Sequence, residues 1–275
     1  MEDLKDLEPQ DEKTPEDLAD YELNHTDKLV GVFSEPASTF TRMSAHEPKT
    51  TDWFIPVLIV IAVAIISNIL MMSNPAIKFS IIENQMDRIE QNLQDMVDSG
   101  NLTRAQADQQ LEQIRDRMEN QMGAGMILQV IGIIVVTFIL FFIVSGVFFL
   151  VAKFGIKGEA GYKAAMVAYG LPYYILVIQI IVMVILALAM NKAFQSTSVA
   201  AFLDMDTTNF TGYILNKLDV FSIWFYFVVG IGFAKMFKSE NTGKYIGMTF
   251  GIWLGFSILI FFLAEAIPFL RFFIR

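Results

Sequence analysis

The chain has 275 residues, 54% of them hydrophobic and 18% charged, where soluble domains average about 45–50% and about 25%. It contains no cysteine, which excludes disulfides, thiol catalysis and cysteine-ligated metals. The formal charge of −9 is local: residues 1–28 hold 11 Asp and Glu against Lys5, Lys13 and Lys28, a net of −8, which leaves −1 for everything that follows.

Residues 1–28 carry too much like charge and too little apolar surface to fold alone, so they read as a disordered acidic tail, solubilising or partner-docking. An acidic, polar start is also not a cleavable signal peptide, which needs a basic start and an early apolar core. Residues 29–52 mix Phe33, Phe40 and Met43 with turn formers. Pro36 fits the first turn of a short helix, and the segment reads as a pre-membrane stretch lying in the lipid interface.

Span 1 is predicted from Trp53 to Met72, with no charge between Asp52 and Lys78. That length matches the roughly 20 residues needed to cross about 30 Å of hydrocarbon. Trp53 suits the headgroup boundary. A helical hairpin over 75–122 follows. Its first arm has apolar residues at Ile82, Met86, Ile89, Leu93 and Met96, spaced 4, 3, 4 and 3, which is a heptad stripe. Gly100 suits the left-handed position after a helix end. Thr103 and Gln106 have capping-box spacing and restart a helix whose stripe is Ala107, Leu111, Ile114 and Met118. The two stripes can satisfy each other, or the hairpin can dock a protein.

Span 2 runs from beyond Gly125 to Ala152 and is long enough to tilt. Span 3 occupies Tyr162 to Met190, with Gln179 as its lone amide. Pro172 removes a backbone donor inside it, so its start is predicted to be kinked and packed by protein, because freed backbone groups at membrane depth need partners. Residues 191–218 form a polar loop containing a short surface helix. Span 4 is Leu218–Phe237 and span 5 is Tyr245–Ala264. The predicted fold is all-α: a polytopic membrane bundle of five transmembrane helices, with an extramembrane hairpin between spans 1 and 2. The loops at 153–163 and 235–244 each hold three lysines, against two in the 28 residues of 191–218. This bias puts the N-terminus and the lysine-rich loops in the cytoplasm.

Candidate chemistry is sparse. His25 and His46 have no metal-ligand spacing, and the sequence has neither a nucleophile elbow nor a phosphate-cradling loop. No catalytic residue, cofactor, metal or nucleic-acid partner is expected. Gly247, Gly251 and Gly255 repeat every four residues and make one smooth helix face, suited to packing inside the bundle, where Gly230 and Gly232 could oppose it, or to a homo-oligomer. Asp219 and Glu265 are the ionisable residues nearest membrane depth. Each is either wetted at the interface or part of a polar ion site.

Three blocks resemble the Yip (Ypt/Rab-interacting protein) domain family, particularly its bacterial branch. Gly31–Met43, with Pro36 and Phe40, is similar to the lead-in before the first span. Gly161–Ile175, with Tyr162, Tyr169 and Pro172, is similar to the start of the third. Leu218–Lys235, with Asp219, Phe221, Trp224, Gly230 and Gly232, is similar to the fourth. The resemblance implies five spans at 53–275, a cytoplasmic N-terminus in a bacterial inner membrane, and a non-enzymatic scaffold or membrane-organising, trafficking-like role. The partners it leaves are the lipid bilayer and a protein reached through the hairpin or tail. The hairpin departs from the compact family pattern, and the alternative function is a channel or transporter for a small solute or ion.

Overall fold

The computed structural model describes residues 22–120, 122–194 and 196–266, without the side chains of 117–127, 265 and 266. Most of the acidic tail therefore lies outside the described residues. Among the described residues twelve helices follow in order: α1 His25–Ser34, α2 Pro36–Met43, α3 Thr51–Ser73, α4 Pro75–Asp98, α5 Arg104–Asn120, α6 Met122–Leu150 with a π-turn at Val151–Gly155, α7 Tyr162–Gly170, α8 Tyr173–Met190, α9 Val199–Phe202, α10 Phe210–Lys217, α11 Val220–Met236 and α12 Thr242–Ala266.

Among the described residues, four stretches are long and apolar enough to cross a bilayer: Thr51–Ser73, Leu128–Gly155, Tyr162–Met190 and Thr242–Ala264. The fold is thus an all-α bundle of membrane helices. The predicted fourth span is the shorter α11, 17 residues or about 26 Å at 1.5 Å per residue. It is nevertheless the hub, packing against α12, α7, α2 and α8.

The third apolar stretch is broken where Pro172 predicts a kink. Helix α7 ends at Gly170 and α8 restarts at Tyr173, with Pro172 as its N-cap. Helix α8 runs beside α3 along most of its length, and Asn74 Nδ2 donates to Asn191 Oδ1 at 3.2 Å where both chains leave the bundle.

The hairpin forms as its capping signals dictate. The Asn74 side chain accepts from the N–H groups of Ala76 and Ile77, and Pro75 opens α4. Gly100 turns the chain at φ +74°. Gln106 Oε1 accepts from the Thr103 N–H at 3.0 Å while Thr103 Oγ1 accepts from the Gln106 N–H at 3.3 Å, which is the predicted reciprocal cap. Leu93 and Ala107 are buried between the arms, whereas Met96 is exposed. The hairpin's base is fixed to the bundle by Ile77, fully buried against Ala187 and Phe194.

The pre-membrane segment differs from its expected interfacial position. Helices α1 and α2 are packed into the bundle, and Val32, Phe40 and Met43 are buried in its main core. Trp53, expected at the headgroup boundary, is stacked on Phe141 with ring centroids 4.9 Å apart. Lipid and protein interior are equally apolar, so an amphipathic pattern does not distinguish them.

Candidate functional site

Around the broken third span the packing is aromatic and close. Tyr169 and Tyr173, on either side of the break, meet Phe225 of α11 with centroids 5.6 and 5.8 Å away, and both also meet Phe141 of α6. Two glycines are demanded here by contact. A Cβ on Gly170 would lie 2.5 Å from Trp53 Cβ, and one on Gly232 would lie 2.9 Å from both the Ala168 carbonyl oxygen and Phe40 Cζ. Phe40 is thus a wedge from the N-terminal segment seated between α7 and α11. Phe33, partly buried, meets Trp224 nearer the start of α11 with ring centroids 5.7 Å apart. Tyr162 bonds back to α6, donating to the Phe142 carbonyl oxygen at 3.1 Å, and Phe221 packs at the edge of the same core.

Polar contacts lock the N-terminal helices to this core. Lys28 Nζ donates to Asp52 Oδ1 at 2.7 Å, with the side chains 8% and 6% exposed. His25 Nε2 and the Tyr174 hydroxyl share a hydrogen bond of 2.5 Å. Outside, Lys49 pairs with Glu22; this hydrogen bond holds the Glu22 carboxyl below and the Lys49 ammonium above their ordinary values. None of these pairings has a local sequence signature, because their partners come from separate elements.

A second polar cluster lies at the other end of α11. Asp219 is 2% exposed, so it is not the wetted interfacial residue that its position suggests. Its Oδ1 accepts from the Phe221 and Ser222 N–H groups at 2.8 and 3.2 Å, capping α11. Its Oδ2 accepts from Gln179 Nε2 at 3.0 Å and Thr197 Oγ1 at 2.8 Å. Four donors fill the acceptor capacity of a carboxylate. Beside it, Ser196 and Ser198 both donate to Asn216 Oδ1. Gln179, the lone amide, is therefore a member of this cluster, and Thr197 is one that sequence reading missed. Nearby Lys217 sits over the Tyr213 ring, its Nζ 4.6 Å from the centroid, and burial pushes its ammonium below the ordinary lysine value. The Glu265 side chain lies outside the described residues. Among the described residues no group of three or more His, Asp or Glu could hold a metal ion.

The glycine face turns outward. A Cβ on Gly247, Gly251 or Gly255 would meet nothing within 4 Å, which corrects their expected packing inside the bundle. Helix α12 instead presents Ile246 and Thr249 to Gly230, whose Cβ would lie 2.7 Å from Ile246 Cα. Gly230 and Gly232 thus oppose other partners than the glycine stripe.

With the lead-in helices, the broken third span and α11 in contact, the three blocks of resemblance form one unit. The chain matches the family model of the Yip1 domain over residues 30–264. It belongs to the Yip1 domain family. No curated protein and no solved structure matches it. The matched range begins inside α1, so the Yip1 domain of this protein includes the end of α1 and all of α2 as well as the membrane bundle.

Proposed function

We propose that this Yip1 protein is a non-enzymatic scaffold or membrane organiser that holds a protein partner through its hairpin. The reading takes α11 as a fifth span, with the acidic N-terminus and the lysine-rich loops in the cytoplasm of a bacterial inner membrane. The observation that carries it is the anchored arm. Helices α4 and α5 have 24 and 17 residues, about 36 and 26 Å long. They are capped into a hairpin and fixed at the base by Ile77, with Leu93 and Ala107 buried in the seam and Phe79 and Met96 left exposed on the first arm. The outward glycine face of α12 supports self-association as a second route of assembly.

The alternative, a channel or transporter, draws on the broken third span, since discontinuous helices line many transport sites. Here the break is filled by Tyr169, Tyr173 and Phe225, and the Asp219 oxygens are occupied by the chain's own donors. Ion and proton flux into proteoliposomes separates the two readings. The scaffold reading expects flux no greater than in protein-free vesicles, and no difference for Asp219→Asn. Flux above that background that Asp219→Asn abolishes would overturn it.

A further inference from the structure

We propose that the pocket of about 520 Å³ between the turn after α6 and the turn before α12 binds the phosphate of an anionic lipid headgroup. Its walls come from Ile156–Ala160 and, far away in sequence, from Met236–Ser239 with Lys244 and Tyr245. Gly158 fixes one wall. Its N–H donates to the Ala152 carbonyl oxygen at 2.9 Å. A Cβ there would lie 2.5 Å from Phe237 Cδ1 and 2.8 Å from the Tyr245 hydroxyl, so the backbone is pinned against the opposite loop. Lys244 Nζ ties the two loops together, donating to the Ile156 carbonyl oxygen at 3.3 Å. The pocket is therefore formed before any ligand arrives.

Its charge selects an anion. Lys157, Lys238 and Lys244 line it against a single carboxylate, Glu159. Lys244 and Tyr245 lie in the first turn of α12, so the positive end of that helix adds to the same field. Lys157 and Lys238 both have left-handed backbones, at φ +59° and +53°. Glycine takes that conformation without steric cost and lysine does not. Two separate turns thus each place an ammonium in the lining where glycine would strain less, a pattern that points from strain to function.

The pocket also sits where a lipid can bring its phosphate. The same wall continues into α6, whose end leaves Leu150 and Phe154 52% and 72% exposed. Acyl chains can cover that surface while the headgroup phosphate enters between the lysines. Lysines at a membrane edge also set topology, but that role carries no preference among headgroups.

The test titrates the full chain, purified in a neutral detergent, with dioctanoyl phosphatidic acid. Binding is counted by native mass spectrometry and melting is followed in parallel. Dioctanoyl phosphatidylcholine and glycerol 3-phosphate are the comparison ligands. Phosphatidic acid should bind saturably and raise the melting temperature, and the other two should bind at least tenfold more weakly. The Lys157→Gly, Lys238→Gly double variant should weaken phosphatidic acid binding about 25-fold, at about fivefold per lysine removed. It should melt no lower than the parent without ligand, because glycine relieves both backbones. Lys192→Gln, in the 191–218 loop, should bind as the parent does. The proposal fails if phosphatidylcholine binds equally or if the double variant binds phosphatidic acid as the parent does. It also fails if glycerol 3-phosphate binds as tightly as the lipid, which would make this a site for soluble phosphate.

Discussion

Removing Lys28 tests whether the N-terminal helices are part of the bundle. At 2.7 Å, two unit charges attract by on the order of 6 kcal/mol for an effective dielectric constant of about 20. Desolvating both ions costs several kcal/mol each, so the intact pair stabilises the fold little. Losing one partner is different, because the other remains buried without a counter-charge. Lys28→Met should therefore cost about 3–5 kcal/mol, while Lys28→Met with Asp52→Leu should return to within about 1 kcal/mol of the parent or exceed it. Equilibrium unfolding in mixed detergent micelles measures all the variants, with Asp52→Leu alone closing the double-mutant cycle. If Lys28→Met unfolds like the parent, or if the two substitutions add without coupling, α1 is not docked as described.

Other outcomes follow from the same packing. Gly232→Ala should cost about 1–3 kcal/mol in the same unfolding assay, because the new Cβ meets a backbone oxygen at 2.9 Å. Gly251→Ile should leave unfolding unchanged, since open space surrounds that position, but should lower self-association measured by energy transfer between labelled copies in vesicles. Lys217 supplies a pH signature. Its folded value lies below 10.5 because of burial, so the folded state loses the proton before the unfolded chain does. Stability should rise as pH climbs through the folded value toward 10.5 and flatten above it. In Lys217→Met this rise should be absent, so the stability difference between parent and variant should change across the same pH window.

The sequence makes the local features legible and leaves the choice of neighbours hidden. Asn74, Gly100, Thr103 and Gln106 announce the hairpin because each cap is satisfied within a few residues. Pro172 announces the broken helix for the same reason: the missing donor is its own. Trp53 does not announce its burial, because membrane helices are apolar on every face and no stripe marks the inward one; Phe40 and Met43 lie on the amphipathic α2, whose apolar side suits lipid and protein alike. The glycine repeat of α12 shows a smooth face without saying whether protein or lipid covers it. Asp219 was visible as an ionisable residue, but its partners Gln179 and Thr197 come from a different helix and a loop. Their convergence depends on how α8 and α11 cross, which residue spacing within one element does not encode.

The central claim, that the hairpin holds a protein partner, is tested most directly by site-specific photocrosslinking in cells. A crosslinker at the exposed Gln91 or Glu112 should capture one discrete protein, whose adduct disappears when an unlabelled copy of the full chain is overexpressed. A crosslinker at Leu93, buried between the arms, should give only bonds within the hairpin. Absence of any adduct from the exposed positions, in cells where the Leu93 crosslinker reacts within the hairpin, would contradict the account.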